Sequence, residues 1–403
     1  MPAEALNTDI AIIGAGPHAL TFLAYLLQKR KKLRQRFAVF DSSGMWLQQW
    51  QQQFAAFEIP HLRSPAVHHP DPNPYALRKF AERRPQELFA PYDLPGTQLF
   101  QDFCVDLIRR LELPPVLQAK VLRIEPLQHQ LRPRFRLWLA DDRSVIARRV
   151  VFAKGGSQIH APEWVSQIQS PYPPERLCHS QQVDLRKFHL AGERILIVGG
   201  GLTSGHLAVG AISRGAKVVL MARRNLQEKL FDAEPGWLGP KYLKDFWAEP
   251  DWEKRWYLIQ QARNGGSLTP AMMLQLRRLM RRDRLQIREQ CQVVKVIWQG
   301  THWLVHCRDD SRDAIHSVSL HEFDRIWIAT GTKLDVTAEP LLTDILNAFP
   351  LPVERGLPIL DPCLRWSGCE LYVMGGLAAL QVGPVARNLS GARMASERIV
   401  SAL

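Results

Sequence analysis

The chain reads as an α/β protein with two Rossmann-like dinucleotide-binding domains, one inserted into the other. Three observations predict this. A strand–glycine turn–helix–strand unit occurs twice, each occurrence is followed by alternating segments that run into a small-residue turn, and the chain closes with one more strand, a Gly-rich turn and a helix.

The first unit begins at Ile10–Ile13, a short buried-strand pattern that leads into Gly14-Ala15-Gly16-Pro17-His18-Ala19. An apolar helix follows over Leu20–Leu27, then the basic run Lys29–Arg36, then a second strand, Phe37–Phe40, ending at Asp41. The glycines permit the tight turn and let a pyrophosphate approach the backbone, and the helix N-terminus beyond supplies amide donors and a positive dipole end. Asp41, with Ser42 behind it, stands where a carboxylate accepts from a ribose hydroxyl.

The second unit repeats the order. Arg194–Val198 is a strand, Gly199-Gly-Gly201-Leu-Thr203-Ser204-Gly205 the turn, His206–Arg214 a helix and Lys217–Leu220 the next strand. Ser204 occupies the place of the usual third glycine, so packing there must accept a hydroxymethyl group. At the end of the second strand stand Arg223 and Arg224, where an acid would select an unphosphorylated ribose. Arginines there pair with a ribose 2′-phosphate and favour NADPH.

Alternating segments over 119–150 and 292–327 read as two β-meanders. The first runs into Ala153-Lys154-Gly155, the second into Ala329-Thr330-Gly331. The strand Glu370–Met374, the turn through Gln381 and Gly383-Pro384, and a long helix over Val385–Ala402 close the chain. This order predicts an FAD-binding domain in two segments, 1–155 and 326–403, interrupted by an NADPH-binding domain over 160–325. The stretch 60–100 is Pro-rich and too long for a simple turn, which marks it as a functional loop.

Composition narrows the class. Apolar residues make up 46% and charged residues 23%, as in folded globular chains, so disorder, collagen and coiled coil are excluded. Lys plus Arg exceed Asp plus Glu by 52 to 39, a net +13 that suits anionic partners such as phosphorylated cofactors. The basic runs Lys29–Arg36 and Arg277–Arg284 read as solvated faces without any nucleic-acid signature. No apolar stretch reaches membrane-spanning length and no secretory signal is visible, so a cytoplasmic location is expected. Six cysteines without a C-x-x-C pair give neither a disulfide scaffold nor a metal site. They also exclude disulfide-reductase chemistry, which needs a cysteine pair beside the flavin.

Two dinucleotide units, Gly44-Met45-Trp46 soon after Asp41, and Ala329-Thr330-Gly331 closing the second meander resemble the class B flavin monooxygenases over nearly the whole chain. His179-Ser180 before the second turn is similar to that family's His-Ser. Asp324-x-x-x-Ile328-Ala329-Thr330-Gly331 and His61-Leu-Arg63-Ser-Pro65 with Asp71-Pro-Asn73-Pro-Tyr75 resemble elements of its ornithine and lysine N-hydroxylases. There are departures: Pro173, Glu175 and Val183 occupy fixed positions of the flavin-containing monooxygenase fingerprint. Thr332 replaces a Tyr, Lys154 stands in place of a Thr, and Gly375-Gly376 replaces a Gly-Asp.

The resemblance implies FAD and NADPH as cofactors, and oxygenation of a small nitrogen or sulfur nucleophile through a flavin C4a-hydroperoxide, with dioxygen as co-substrate. Arg63 and Asn73 are then the candidate catalytic residues, placed to hydrogen-bond the nicotinamide or the oxygenated flavin. Gln381 would face the isoalloxazine, and Trp46 would lie along the cofactor. Trp237, Trp247, Trp252 and Trp256 form either a substrate lid or packing anchors. Two other readings share the fold: a flavin reductase or oxidase without hydroxylation, and a redox-degenerate FAD-binding interaction protein. A homo-oligomer is compatible with all three.

Overall fold

The computed structural model describes residues 6–127, 134–155, 157–263, 265–309 and 318–403. Residues 1–5 and parts of both expected meanders, 128–133 and 310–317, lie outside the described residues.

The strand Leu6–Ile13 is buried from Ile10 onward because it is central: Phe37–Asp41 pairs with it in parallel on one side and Ser144–Phe152 on the other. Outside Phe37–Asp41 lies Leu117–Gln118, and outside the first half of Ser144–Phe152 lie the antiparallel strands Arg134–Leu139 and Val121–Leu127. The second half of Ser144–Phe152 is paired differently. Val150–Phe152 takes Leu371–Val373 as a parallel neighbour, so the two ends of the chain share one sheet.

Helix Pro17–Lys29 is apolar on nearly every face because it is covered twice. Phe22, Leu23 and Leu26 pack in the core of this sheet, while Leu20 and Ala24 face a separate cluster built by helix Thr97–Arg110 and the Pro-rich stretch. That stretch is ordered, with helix Ala76–Phe80, a small hairpin of Leu88–Phe89 with Leu94–Pro95, and Leu62, Ala66 and Leu77 in the core. Arg393 of the last helix pins it by donating to Val67 O at 2.8 Å and Pro72 O at 3.2 Å.

The second sheet is wholly parallel, in the order Leu177–His179, Arg325–Ile328, Arg194–Val198, Lys217–Met221, Leu285–Arg288. Alternation along Ile195-Leu196-Ile197 assigns its two faces: Ile195 and Ile197 pack with helices Leu202–Ser213 and Pro270–Met280, Leu196 with the antiparallel meander Cys291–Trp298, Trp303–Asp309 and Val318–Phe323. Strand Arg325–Ile328 sits inside this sheet, which therefore extends past the boundary expected at 325. The outgoing Ser157–Ile159 and returning Thr332–Leu334 segments pair antiparallel, forming a two-stranded ribbon at the crossing.

Two further expectations are corrected. The closing helix spans Leu389–Ala402 and does not start at Val385. Gly383 adopts φ +97°, Pro384 can donate no backbone hydrogen bond, and the next residues turn before Asn388 opens the helix. The tryptophans of 237–256 are packing anchors. Trp237, Trp252 and Trp256 lie against the first core beside buried Leu243, Phe246 and Ile259, and Trp247 Nε1 donates to Gln381 O at 2.9 Å. Arg255 clamps this arrangement, donating to Glu249 O, Leu380 O and Trp247 O between the rings of Phe246 and Trp252.

Gly199 is the tightest point of the fold. Its φ is +147°, and a Cβ there would lie 2.3 Å from the Ala329 carbonyl oxygen. Gly199→Ala should therefore destabilise the protein by about 2–4 kcal/mol in a urea melt. Acid should destabilise it as well. Burial holds His69 and His206 neutral, with pKa values of about 4 against 6.5 when unfolded. The unfolded chain binds the extra protons, so stability is full above pH 6.5 and falls toward pH 4, by at most ~3 kcal/mol for the fully buried His69. Equal urea midpoints at pH 7 and pH 5 would contradict this.

Candidate functional site

The first glycine turn is shaped by what it touches. Gly14, at φ +98°, passes so close to the neighbouring strand end that a Cβ would sit 3.0 Å from Ala153 O. Around Gly16 nothing would lie within 4 Å of an added Cβ, and helix Pro17–Lys29 begins there with no side-chain cap. Its first amides are open toward that space, the arrangement that receives a pyrophosphate. Asp41 ends the next strand with Oδ2 accepting from Ala15 N at 3.2 Å and Oδ1 accepting from Ser43 N and Ser43 Oγ at 2.9 and 2.6 Å. The carboxylate is thereby oriented beside the turn, each oxygen still with lone-pair capacity. Ser42 beside it is exposed.

Trp46 supplies an independent sign that this region holds a polar group. Its indole Nε1 is buried and has no hydrogen-bond partner, one of only two such side-chain atoms among the described residues. A buried donor left unpaired costs about 1–3 kcal/mol, so an acceptor on a bound molecule fits there.

His18 ties the turn to the chain's far end. Its Nε2 donates to Ala386 O at 3.1 Å, and burial depresses its pKa below the ordinary imidazole value. Gly375, at φ +77°, lies against the same ring. Gly376 follows in close packing, since a Cβ there would meet Leu334 Cδ1 at 2.7 Å and Arg387 Cγ at 3.2 Å. The Gly-Gly in place of Gly-Asp is thus a steric feature.

At the second turn, Gly201 opens helix Leu202–Ser213 with no side-chain cap and no atom within 4 Å of an added Cβ. Thr203 is partly exposed in its first turn. Ser204 is buried because its Oγ turns back to donate to Gly201 O at 2.6 Å. The glycine needed for close packing is the next residue: a Cβ on Gly205 would fall 2.7 Å from Met272 Cγ. Arg223 and Arg224 are exposed and form no hydrogen bond or ion pair among the described residues. The Arg224 guanidinium lies over Gly265, and Gly266 approaches Gly201, so a glycine-rich loop and a free arginine flank this turn.

Ala329-Thr330-Gly331 joins the two halves. Ala329 N donates to Val198 O at 2.8 Å, Thr330 Oγ1 donates to His160 O, and Gly331 O accepts from His160 N and His179 Nε2, each at 3.1 Å. With Nε2 donating, His179 Nδ1 accepts from Gln181 N, which fixes its tautomer. The His-Ser element and the Ala-Thr-Gly turn thus meet at the crossing. Lys154 reaches across to buried Glu339 at 3.0 Å.

Three expected site residues have other work. Arg63 donates through Nε to Leu230 O, through Nη1 to Asp232 Oδ1 and Ser267 O, and through Nη2 to Lys229 O and Ser267 Oγ, at 2.6–3.4 Å. All five N–H groups are spent, so the guanidinium is a strap between the Pro-rich segment and the second half, with none left for a nicotinamide. Asn73 lies exposed on the rim, its Oδ1 accepting from Tyr75 N at 3.1 Å to close a turn. Gln381 is buried with Nε2 donating to Leu360 O at 2.6 Å, so its amide anchors the C-terminal turn. Gly383 fits closely against Leu243.

A family model described as FAD-NAD(P)-binding matches residues 11–157, and one described as L-lysine 6-monooxygenase/L-ornithine 5-monooxygenase matches residues 92–333, more than half of the chain. The chain belongs to the lysine/ornithine monooxygenase family. Its members are FAD- and NADPH-dependent oxidoreductases, and the chain carries the matching FAD-NAD(P)-binding domain. No curated protein matches the sequence. Among solved structures, an ornithine N-hydroxylase from Kutzneria sp. 744 has a TM-score of 0.80 at 17% identity over 98% of both chains. The L-lysine 6-monooxygenase of Pseudomonas syringae gives 0.77 at 17% identity over 98% of both. The cadaverine monooxygenase of Erwinia amylovora gives 0.77 at 15% identity, over 97% of this chain and 93% of that one. No described helix is long and apolar enough to cross a membrane.

The strap makes a specific demand on this family member. Arg63→Ala strands the Asp232 carboxylate and four further acceptors at a half-buried junction, and should lower stability by about 3 kcal/mol in a urea melt, with Arg63→Lys recovering only part of it. A melt unchanged by Arg63→Ala would show that the strap carries no load.

Proposed function

We propose that the protein is an N-hydroxylating monooxygenase, converting the amine of a small molecule, NADPH, dioxygen and a proton to a hydroxylamine, NADP⁺ and water. The family match over residues 92–333 carries this reading. The cysteine pattern supports it against dithiol chemistry: all six cysteines are free, and burial pushes the thiols of Cys104, Cys178 and Cys369 up, out of the thiolate range.

In this reading the two-segment domain, 1–155 with 326–403, holds FAD. Gly14, Ala15, Gly16 and Pro17 admit its pyrophosphate, Asp41 accepts from the ribose, and Trp46 Nε1 gains an acceptor. The segment 160–325, with the adjoining strand end, holds NADPH. Gly199, Gly201, Thr203 and Ser204 shape the phosphate turn, and Arg223 and Arg224 pair with the 2′-phosphate. Bound flavin supplies the redox chemistry, taking hydride from NADPH and activating dioxygen. The chain's own task is orientation and exclusion of water. The ribbon of Ser157–Ile159 with Thr332–Leu334, the His179–Gly331 bond and the Arg63 strap hold the two halves in register for hydride transfer. A reaction of this kind in solution places the protein in the cytoplasm.

The decisive experiment supplies NADPH, isotopically labelled dioxygen and a panel of amines to the FAD-loaded protein and analyses products by mass spectrometry. An amine gaining one labelled oxygen atom is expected. NADPH consumed with peroxide as the sole product would establish the oxidase reading instead. Replacing Arg223 and Arg224 together by alanine should raise KM for NADPH by about 10- to 100-fold while changing KM for NADH little. Equal changes for both would remove the arginines from 2′-phosphate recognition.

A further inference from the structure

Near the crossing ribbon the protein holds an excess of positive charge that the cofactor assignments above do not use. Asp232 is the one carboxylate there. It pairs with Arg63 Nη1 at 2.6 Å and stands 3.9 Å from Arg263 Nη2. Arg263 also donates through Nη1 to Pro384 O at 3.1 Å. A third guanidinium, Arg387, enters from the turn before the last helix. Its Nη2 donates to Thr332 Oγ1 at 2.7 Å, and no carboxylate bonds to it among the described residues. The only ionised groups that act on it are Arg263, which lowers its pKa, and Asp232, which raises it. Three guanidiniums thus share one carboxylate already committed to Arg63.

The route of Arg387 depends on a departure seen in the sequence. Its stem passes over Gly376, where an added Cβ would lie 3.2 Å from Arg387 Cγ. An aspartate at 376 would crowd that stem and place a carboxylate beside the guanidinium. Glycine leaves the stem its path and the charge uncompensated. Thr332, which stands in place of a tyrosine, offers only a hydroxyl, so no ring fills the space. Arg387 is exposed, yet desolvation by the surrounding protein and the nearness of Arg263 bring its pKa down to about 10. An isolated cation held in such surroundings gains from an anion.

We propose that Arg387, supported by Arg263, is the specificity-determining anion subsite of the substrate cleft, and that the amine hydroxylated here carries an anionic group which Arg387 binds. This rests on the monooxygenase reading and deepens it. The same charges repel a second ammonium, so a diamine is disfavoured where an amine bearing a carboxylate is accepted.

The test is titration calorimetry of FAD-loaded protein with L-ornithine, L-lysine, cadaverine and NADP⁺, for the wild type, Arg387→Gln and Arg387→Lys. The wild type should bind at least one of the two amino acids and bind cadaverine at least ten-fold more weakly. Arg387→Gln should weaken amino-acid binding ten-fold or more without weakening cadaverine binding, and Arg387→Lys should restore part of the loss. A Gly376→Asp variant, which brings the counter-charge in, should reproduce the Gln phenotype.

The other sources of an anion are the cofactors, and each gives a distinct result. If Arg387→Gln loses FAD on purification, or raises the NADP⁺ Kd as much as that of the amino acid, Arg387 serves a cofactor phosphate and the proposal falls. It falls too if the wild type binds neither amino acid, or binds cadaverine as tightly. Product analysis on the same samples separates this from the parent reading. Hydroxylated cadaverine with no preference for the amino acids would overturn the subsite and leave the monooxygenase standing. Amino-acid binding through Arg387 with no hydroxylated product would support the subsite and overturn the monooxygenase.

Discussion

One strand holds the molecule's two ends to a single frame. Ser144–Phe152 is nine residues long, and its two halves solve different problems. Along one edge it pairs with Leu6–Ile13 from Leu6↔Val145 to Ile13↔Phe152. Along the other edge, its first half takes the antiparallel meander and Val150–Phe152 takes Leu371–Val373. The chain therefore cannot complete its first sheet until it has built the second half and returned. Gly14, Ala153, Gly375 and the turn at Gly383–Ala386 reach one place only because these strands end together, and the Met374 N to Phe152 O bond at 3.0 Å marks that point. Ligand sites at the carboxyl ends of parallel strands follow from this geometry.

The second half repeats the device with a tighter tolerance. Gly199 is wedged against Ala329 because Arg194–Val198 and Arg325–Ile328 are adjacent parallel strands whose ends must both turn sharply. The requirement is backbone against backbone, which no side-chain rearrangement relieves. That is why glycine turns were legible in the sequence: the constraint is local and excludes all other residues. The alternation of Ile195-Leu196-Ile197 was legible for a similar reason, since each residue faces a core along the whole strand.

Side chains whose partners lie far away in sequence were not legible in that way. Arg63 was placed at the reacting atoms because it sits in a Pro-rich loop of the right kind. Its acceptors come from residues 229–232 and 267, which nothing local announces. Gln381 and the tryptophans around 247 misled for the same reason: a polar or aromatic side chain near a glycine turn serves as readily for packing as for ligand contact. Ser204 was read as an irregularity of the turn, and its neighbour Gly205, which does the close packing, was a visible signal one residue further on. Arg263 and Arg387 carried no motif at all. Only the three-dimensional count of guanidiniums against Asp232 singles them out.

These observations give the arginine excess a division of labour. Arg63, Arg255 and Arg393 spend their donors on main-chain carbonyls and carboxylates of neighbouring segments, and each joins elements that the sheets alone leave apart. A planar fork with five donors suits that work better than an ammonium. Arg223, Arg224 and Arg387 are the contrasting set, exposed and without a carboxylate bonded to them among the described residues. The net charge of +13 is therefore a mixture of structural straps and open cationic ends. Only the latter can attract a ligand, because a guanidinium whose donors are all satisfied offers charge but no vacant hydrogen bond. By that criterion ligand recognition in this molecule is concentrated at the second glycine turn and at the crossing ribbon, where the two halves meet.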